Sequence, residues 1–303
     1  MCESSTASRK YRDGVMVKNK SIDNIVPECV FCKRNERSKE HLWPRWIDKY
    51  CKDTYSSYTI ERLAESRPMT VPGFVSNLER PSIKLDRTSR LRVKPSSRWT
   101  NVVCKKCNNG WMSRVEAKAE KALGPVFSGD CGRIDAQDIE AVCAWIALRV
   151  MMMEFEDPDS KATKDFEHDC IYQSHLAPPH WKFWIGVNKE HLPRRKRQSY
   201  AYIPAMEDYQ AKMDSLPFSQ NFPLIGEPNT RFTNIQIGNI VLLSYSSTAL
   251  WEFPIELPFA PYFKRLDHSE GETVFLPILQ TPPILAREFA WMTIKSIWKH
   301  LRR

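Results

Sequence analysis

The cysteines whose spacing could do chemistry form two matched pairs, Cys29 with Cys32 and Cys104 with Cys107. Two residues between the sulfurs of a pair let both thiolates face one ion, and four thiolates satisfy a tetrahedral Zn²⁺. A redox function for one pair would need a thioredoxin-like βαβ context, which the surrounding sequence lacks. The spacing therefore predicts one structural zinc site, and the alternative is four buried cysteines without metal. The other five cysteines show no ligand spacing.

Acidic, histidine and amide side chains follow both pairs, in SKEHLWPRW at 38–46 and CNNGWM at 107–112. Histidine side chains ordinarily titrate near neutral pH, so His41 suits a general base that activates water. The carboxylate of Glu40 and the side-chain oxygen of Asn108 are hard ligands that suit Mg²⁺ or Mn²⁺. The alternative is a surface dipeptide at 40–41 and a simple helix cap at 108–109.

Together these motifs resemble the HNH (His-Asn-His, ββα-metal) endonucleases of the four-cysteine, zinc-containing type. Members of that type show C-x-x-C, then an acidic-His dipeptide followed by x-x-Pro, then an Asn, then C-x-x-C-Asn or C-x-x-C-His at the start of a helix. The resemblance covers about 29–123. It implies a phosphodiester hydrolase acting on DNA, and settings such as restriction, mobile elements and antiviral (phage) defence.

The resemblance also implies a role for each site residue. Glu40 and Asn108 would hold the catalytic Mg²⁺ or Mn²⁺, with Asn109 as an alternative ligand to Asn108, and His41 would activate water. Asn101 is the match to the middle Asn, which orients the catalytic His through a backbone contact. The sequence departs from the family by having Glu where Asp is commoner. It also has 62 residues between His41 and the second cysteine pair, which indicates an insertion.

Positive charge is concentrated around the same motifs. The net charge is +9, and residues 82–121 contain eleven lysines and arginines but three acidic residues. Such a segment is expected to bind phosphates without reading sequence, although a solvated charged face is the alternative. A second basic run, at 194–197, is interpreted as an exposed loop that contacts the nucleic-acid backbone. The residues predicted to contact nucleic acid are Arg90, Arg92, Lys94, Lys105 and Lys106.

Hydrophobic periodicity predicts the elements that must position these residues. A helix is expected from Asn109 to a stop at Gly124-Pro125, and a second over about 136–155 with Asp135 as its N-cap. Short extended runs within 52–98 indicate a β-rich insertion. Strands are expected at 183–187, 200–203 and 235–243, where Gly238-Asn239 is either a hairpin turn or a bulge. A basic amphipathic helix is expected over about 284–301.

The predicted fold class is α+β, with a zinc-stapled ββα-metal (HNH) domain followed by an α+β C-terminal domain. The expected divisions are a loose arm at 1–24, the HNH domain at 25–130 with its insertion at about 52–98, and a C-terminal domain of unassigned role at 131–303. That last domain is also where self-association of the chain is expected.

A cytoplasmic protein is expected, because the first residues lack an apolar signal and the nine cysteines are an odd number. The chain has no run of about 18–20 apolar residues, so no membrane partner is expected. The expected partner is therefore DNA, with RNA as an alternative. Two further functions compete with catalysis: a non-catalytic zinc-stapled adaptor that binds nucleic acid, and a structural interaction protein whose basic surface is incidental.

Overall fold

The structure, a computed structural model, describes residues 28–51, 56–62, 84–91, 97–155, 161–187, 195–202, 230–248, 262–267 and 271–277. For 56–62, 84–91, 195–202 and 230 it gives the backbone alone. The predicted N-terminal arm and the predicted helix at 284–301 lie outside these ranges.

Two short antiparallel strands and a helix surround the motifs. Strand β1 (Ser38–His41) pairs with β4 (Trp99–Val103), so that His41 lies opposite Trp99, with an irregular register between Ser38 and Glu40. Between them in the chain lie a 3₁₀ helix (Arg45–Lys49) and the antiparallel pair β2 (Ser56–Arg62) and β3 (Lys84–Leu91). Two strands thus lie within 52–98, where extended runs were expected, and in the chain they separate the two strands that carry the motifs.

The helical path after β4 begins earlier and ends later than the periodicity predicted. It comprises α1 (Lys105–Cys107), a π-helical turn (Asn108–Met112) with a kink at Gly110, and α2 (Ser113–Ser128). The expected stop at Gly124-Pro125 is wrong, because α2 continues through Pro125 and ends at Gly129, whose φ is +81°. A proline in a helix loses one backbone hydrogen bond. Burial of Val126 and Phe127 just after it compensates for that loss.

Helix α3 (Ala136–Glu154) lies at the centre of the core. Its bounds agree with the prediction to within one residue, and Asp135 occupies the N-cap, although its side chain makes no capping hydrogen bond. Every residue from Val142 to Glu154 is buried, so this part of the helix is covered on every side. Helices α2 and α3 pack together, and their apolar residues belong to one continuous core. That core therefore crosses the predicted domain boundary at 130/131.

The remaining elements form a sheet and two smaller features. Helix α4 (Asp165–Ser174) ends at His175, which has a φ of +59°. A five-stranded antiparallel sheet has the order β10-β6-β9-β8-β7. Its strands are β6 (Lys182–Val187), β7 (Arg195–Tyr202), β8 (Thr230–Ile237), β9 (Ile240–Ser247) and β10 (Phe263–Arg265). Strands β5 (Arg133–Ile134) and β11 (Val274–Phe275) form a separate pair.

Two details of this sheet decide earlier alternatives. Gly238-Asn239 turns a hairpin between β8 and β9, with Gly238 at a φ of +60°, which favours glycine. The loop interpretation of the basic run is wrong for 195–197, because these residues lie in β7. Strand β7 is at the edge of the sheet, where charged side chains are tolerated and discourage pairing with another chain.

The described residues thus form an α+β protein with a four-cysteine cluster. No helix in the described ranges is both long and apolar enough to cross a membrane.

Candidate functional site

The four predicted cysteines come together. The sulfur atoms of Cys29, Cys32, Cys104 and Cys107 all lie within 4.8 Å of one another, and the Cys32 and Cys104 sulfurs are 3.4 Å apart. Three of the four residues are buried and Cys32 is half-buried. One cluster therefore joins two chain segments that are more than seventy residues apart.

Backbone geometry prepares each pair for an ion. In the first pair, Lys33 N–H donates to the Cys29 carbonyl across a tight turn, and Lys33 adopts a φ of +58°. In the second pair, Cys104 is the N-cap of α1, and its sulfur accepts a hydrogen bond from Cys107 N–H at 3.4 Å. Val30 N–H donates to the Val102 carbonyl at 2.9 Å and so ties the first turn to β4. The chain thus holds both halves of the cluster in place through its backbone.

Burial and neighbouring groups shift the pKa values of three of these thiols. Burial raises the pKa of the Cys107 thiol well above its ordinary range, and burial also raises that of Cys32. For Cys104 burial acts in the same direction, but the Cys107 N–H and the Cys32 sulfur outweigh it and lower the pKa. A divalent cation would offset the cost of four close thiolates, since metal binding deprotonates its thiol ligands. The number, chemistry and proximity of the sulfurs therefore fit Zn²⁺.

A partly exposed face of the β1–β4 pair carries His41. Residues directly opposite each other in an antiparallel pair lie on the same side of the sheet, so His41 and Trp99 are neighbours. Trp99 is 46% exposed, and the Lys39 ammonium lies 4.7 Å from the centre of its ring. Asn101, two residues further along β4, is also exposed. We call His41, Trp99, Asn101 and Lys39 the β1–β4 face.

The imidazole of His41 is itself partly accessible. Its Nδ1 atom is buried and has no hydrogen-bond partner among the described residues. Its backbone carbonyl, in contrast, accepts a hydrogen bond at 2.7 Å from Nη1 of Arg149. The structure therefore anchors the main chain of this residue more firmly than its ring.

The side-chain amide of Asn108 donates two hydrogen bonds to β1. Its Nδ2 atom donates to the Ser38 hydroxyl at 2.9 Å and to the Lys39 carbonyl at 3.0 Å. These bonds join the helical end of the motif to β1, next to Glu40 and His41. Neither bond uses the Asn108 side-chain oxygen, which is the atom that the prediction assigns to a catalytic cation. Asn109, the alternative ligand, is exposed.

Glu40 lies on the inner side of β1. It is 5% exposed, and its carboxylate Oε1 is 2.5 Å from Nη2 of Arg149, which is 1% exposed. Glu116 on α2 is close to this pair. Burial raises the Glu116 pKa, the Arg149 charge opposes that rise, and the Glu40 charge adds to it. The buried guanidinium is thus paired with the Glu40 carboxylate, and its charge also acts on Glu116.

This arrangement bears on the predicted catalytic cation. A Mg²⁺ held by Glu40 would have to share or displace a guanidinium at hydrogen-bond distance from the same carboxylate. Mg²⁺ also keeps near-ideal octahedral geometry and several waters, which a buried carboxylate cannot easily accommodate. Glu40 and Asn108 therefore do not, in this arrangement, form a pair of open oxygen ligands.

The predicted phosphate contacts are described only in part. Lys105 and Lys106 are exposed at the start of the helical path that follows β4. Arg90 lies in β3, where the backbone alone is described, and Arg92 and Lys94 lie outside the described residues.

Two residues of this site were not foreseen. Arg149 stands alone as a charge within the apolar stretch from Val142 to Met153, and an arginine in a buried helix almost always has an acidic partner. That signal indicates a partner but does not identify it. Trp99 lies in β4, but only the pairing of β4 with β1 places it beside His41.

Comparison of the chain with models of protein families, with curated proteins and with solved structures found no match. The site must therefore be interpreted from its own chemistry.

Proposed function

We propose that the chain is a metal-dependent endonuclease that hydrolyses phosphodiester bonds in DNA, with His41 as the general base. The observation that carries the proposal is the β1–β4 face. It brings a partly accessible imidazole together with an exposed aromatic ring and a lysine ammonium, and the four-cysteine cluster braces the strand that pairs with it. In a nuclease these groups would serve as a general base for water, a stacking surface for a nucleobase and a cation for phosphate.

In this mechanism His41 takes a proton from a water molecule, and the water oxygen forms a bond to phosphorus. The bond between phosphorus and the 3′-oxygen breaks, and that oxygen leaves after taking up a proton from solvent. The products carry 5′-phosphate and 3′-hydroxyl ends. A divalent cation that is held through the substrate phosphate, rather than by Glu40, would stabilise the developing negative charge.

The exposed lysines would hold the substrate against this face. Lys39 lies on the β1–β4 face, and Lys105 and Lys106 lie just after β4 in the chain. Cations at such positions neutralise phosphates, so binding should weaken linearly with the logarithm of salt concentration. Trp99 offers a stacking surface for a base, which is worth about 1–3 kcal/mol in single-strand binding.

The first test is binding followed by cleavage with the full-length protein. Wild type should bind DNA in a salt-dependent manner, and Lys105→Glu/Lys106→Glu should weaken binding and flatten the salt slope by about two phosphates. Lys118→Glu/Lys121→Glu on α2, in the same basic segment, makes the same change in charge and should weaken binding less than the change at Lys105 and Lys106. Wild type should also nick or cut plasmid DNA with Mg²⁺ or Mn²⁺ and not with excess EDTA. DNA binding that is independent of these lysines would contradict the proposed surface.

A non-catalytic adaptor that binds nucleic acid is the second candidate. The observation that favours it is the engagement of Glu40 with Arg149, because the carboxylate assigned to a catalytic cation already has a partner. Salt-dependent binding without metal-stimulated cleavage would select the adaptor over the nuclease.

A further inference from the structure

A buried guanidinium contacts both residues of the acidic-His dipeptide. Nη2 of Arg149 lies 2.5 Å from the Glu40 carboxylate, and Nη1 donates to the His41 carbonyl at 2.7 Å. The planar, rigid fork of arginine can make two such bonds in a fixed relative geometry, which a lysine cannot. Arg149 thus holds a side chain and a main-chain carbonyl of consecutive residues at the same time.

These contacts bear on which side of β1 the His41 side chain lies. Successive side chains of a strand point to opposite sides, so a Glu40 side chain held against α3 leaves His41 on the other side of β1. The register irregularity lies just before Glu40, where the pairing with β4 provides less restraint. The guanidinium compensates for that weak point, and Asn108 fixes the Ser38–Lys39 end of the same strand.

Arg149 has few other tasks in the described part of the protein. Its Nε atom has no hydrogen-bond partner among the described residues, so Glu40, the His41 carbonyl and the nearby Glu116 charge account for the polar contacts shown. Burying a guanidinium is costly unless it is paired, and Glu40 supplies that pair.

We infer that Arg149 is a positioning residue for His41, and that Glu40 acts through Arg149 rather than as a ligand of the catalytic cation; the inference rests on the proposed nuclease function. Loss of either partner should then misplace the base without altering substrate or metal binding. Misplacement of a reacting group by about 1 Å can cost about 10²-fold in rate.

The experiment measures kcat, KM and the Mg²⁺ concentration for half-maximal activity with the full-length zinc-loaded protein and a labelled DNA duplex. The variants are Glu40→Gln, Arg149→Met, Arg149→Lys and the double variant Glu40→Gln/Arg149→Met. Each rate is corrected for the folded fraction from a thermal melt. Arg231→Met is the matched control, because Arg231 and Glu154 form another buried ion pair, between β8 and the end of α3.

All four variants should lose about 10²-fold in kcat, with KM and the half-maximal Mg²⁺ concentration as in wild type. The double variant should be no worse than the worse single variant, because both changes break one unit. Arg149→Lys should resemble Arg149→Met, since it keeps the charge but not the fork. The control should melt earlier but cut at the wild-type rate per folded molecule. If Arg149→Met does not fold, Glu40→Gln and Arg149→Lys still decide.

Three results would overturn the inference in distinguishable ways. A higher Mg²⁺ requirement in Glu40→Gln but not in Arg149→Lys would make Glu40 a metal ligand, and the nuclease proposal would stand. Wild-type kcat in every folded variant would reduce the pair to a structural contact. An inactive wild type would refute the nuclease proposal and the inference with it.

Discussion

Replacement of His168 by phenylalanine should make the stability of the protein much less sensitive to acid. His168 on α4 is fully buried, and neither ring nitrogen has a hydrogen-bond partner among the described residues. Its ring contacts that of Phe31, which precedes Cys32 of the cysteine cluster, and that of Phe155, with centroid distances of 5.8 and 6.3 Å. The Asp165 carboxylate lies 3.9 Å from Nδ1, beyond hydrogen-bond distance, so a phenylalanine ring loses no hydrogen bond among the described residues.

Burial lowers the pKa of His168 from 6.5 to about 4, and the charge of Lys161 acts in the same direction against that of Asp165. A group with a depressed folded-state pKa gives its full stability above the unfolded pKa and loses it as pH falls towards the folded one. The affected window is thus pH 6.5 to about 4. At about 1.4 kcal/mol per pH unit, wild type should lose about 2 kcal/mol between pH 6.5 and 5 from this residue alone.

The assay is urea unfolding of wild type and His168→Phe at pH 7.5 and 5. Any packing cost of the larger ring affects both pH values equally, and acid-induced loss of zinc is common to both proteins, so the difference between the two pH dependences isolates the imidazole. His168→Phe should lose about 2 kcal/mol less than wild type over this interval. An equal loss in both proteins would show that His168 does not titrate there and that its environment is more polar than described.

The remaining predictions concern the metal and the helix that follows it. Elemental analysis should find one zinc per chain, and Cys104→Ser should lose that zinc and melt at a lower temperature. Because burial raises the pKa of the Cys107 thiol, zinc uptake should release protons and zinc affinity should fall as pH falls. A zinc-free wild type, or a Cys104→Ser variant with unchanged melting, would exclude the four-thiolate site. Gly124→Ala should destabilise the wild-type protein, because the new Cβ would lie 2.7 Å from the Tyr50 hydroxyl oxygen. In a Tyr50→Phe background the same change should stabilise the protein by about 0.5–1 kcal/mol, because the next ring atom is 3.7 Å from the new Cβ. The same sign of effect in both backgrounds would show that this contact does not limit packing.

Local sequence patterns predicted the elements that depend on neighbours in the chain. The apolar periodicity of α3 gave its bounds, and two C-x-x-C pairs predicted a cluster because each pair forms its own turn. The end of α2 was misjudged, since tertiary packing around Pro125 outweighs the local preference to stop. The strand character of 195–197 was hidden by charges that an edge strand tolerates.

The arrangement around His41 depends on contacts that no local pattern contains. Arg149 and Glu40 are 109 positions apart, and β1 meets β4 across the whole insertion. An isolated charge in an apolar helix indicates that a partner exists, but many acidic residues could supply it. The prediction that Glu40 is a metal ligand came from its position in a motif, whereas its surroundings in the fold assign it a buried cation.

The most direct test of the proposed chemistry is plasmid cleavage by wild type and His41→Ala with Mg²⁺, Mn²⁺ or excess EDTA. Wild type should cut with either metal. His41→Ala should be slower by about 10²–10⁴-fold, the usual cost of losing a general base, while its zinc content and DNA affinity stay at wild-type values. Cleavage by His41→Ala at the wild-type rate would contradict the assignment of this imidazole as the base.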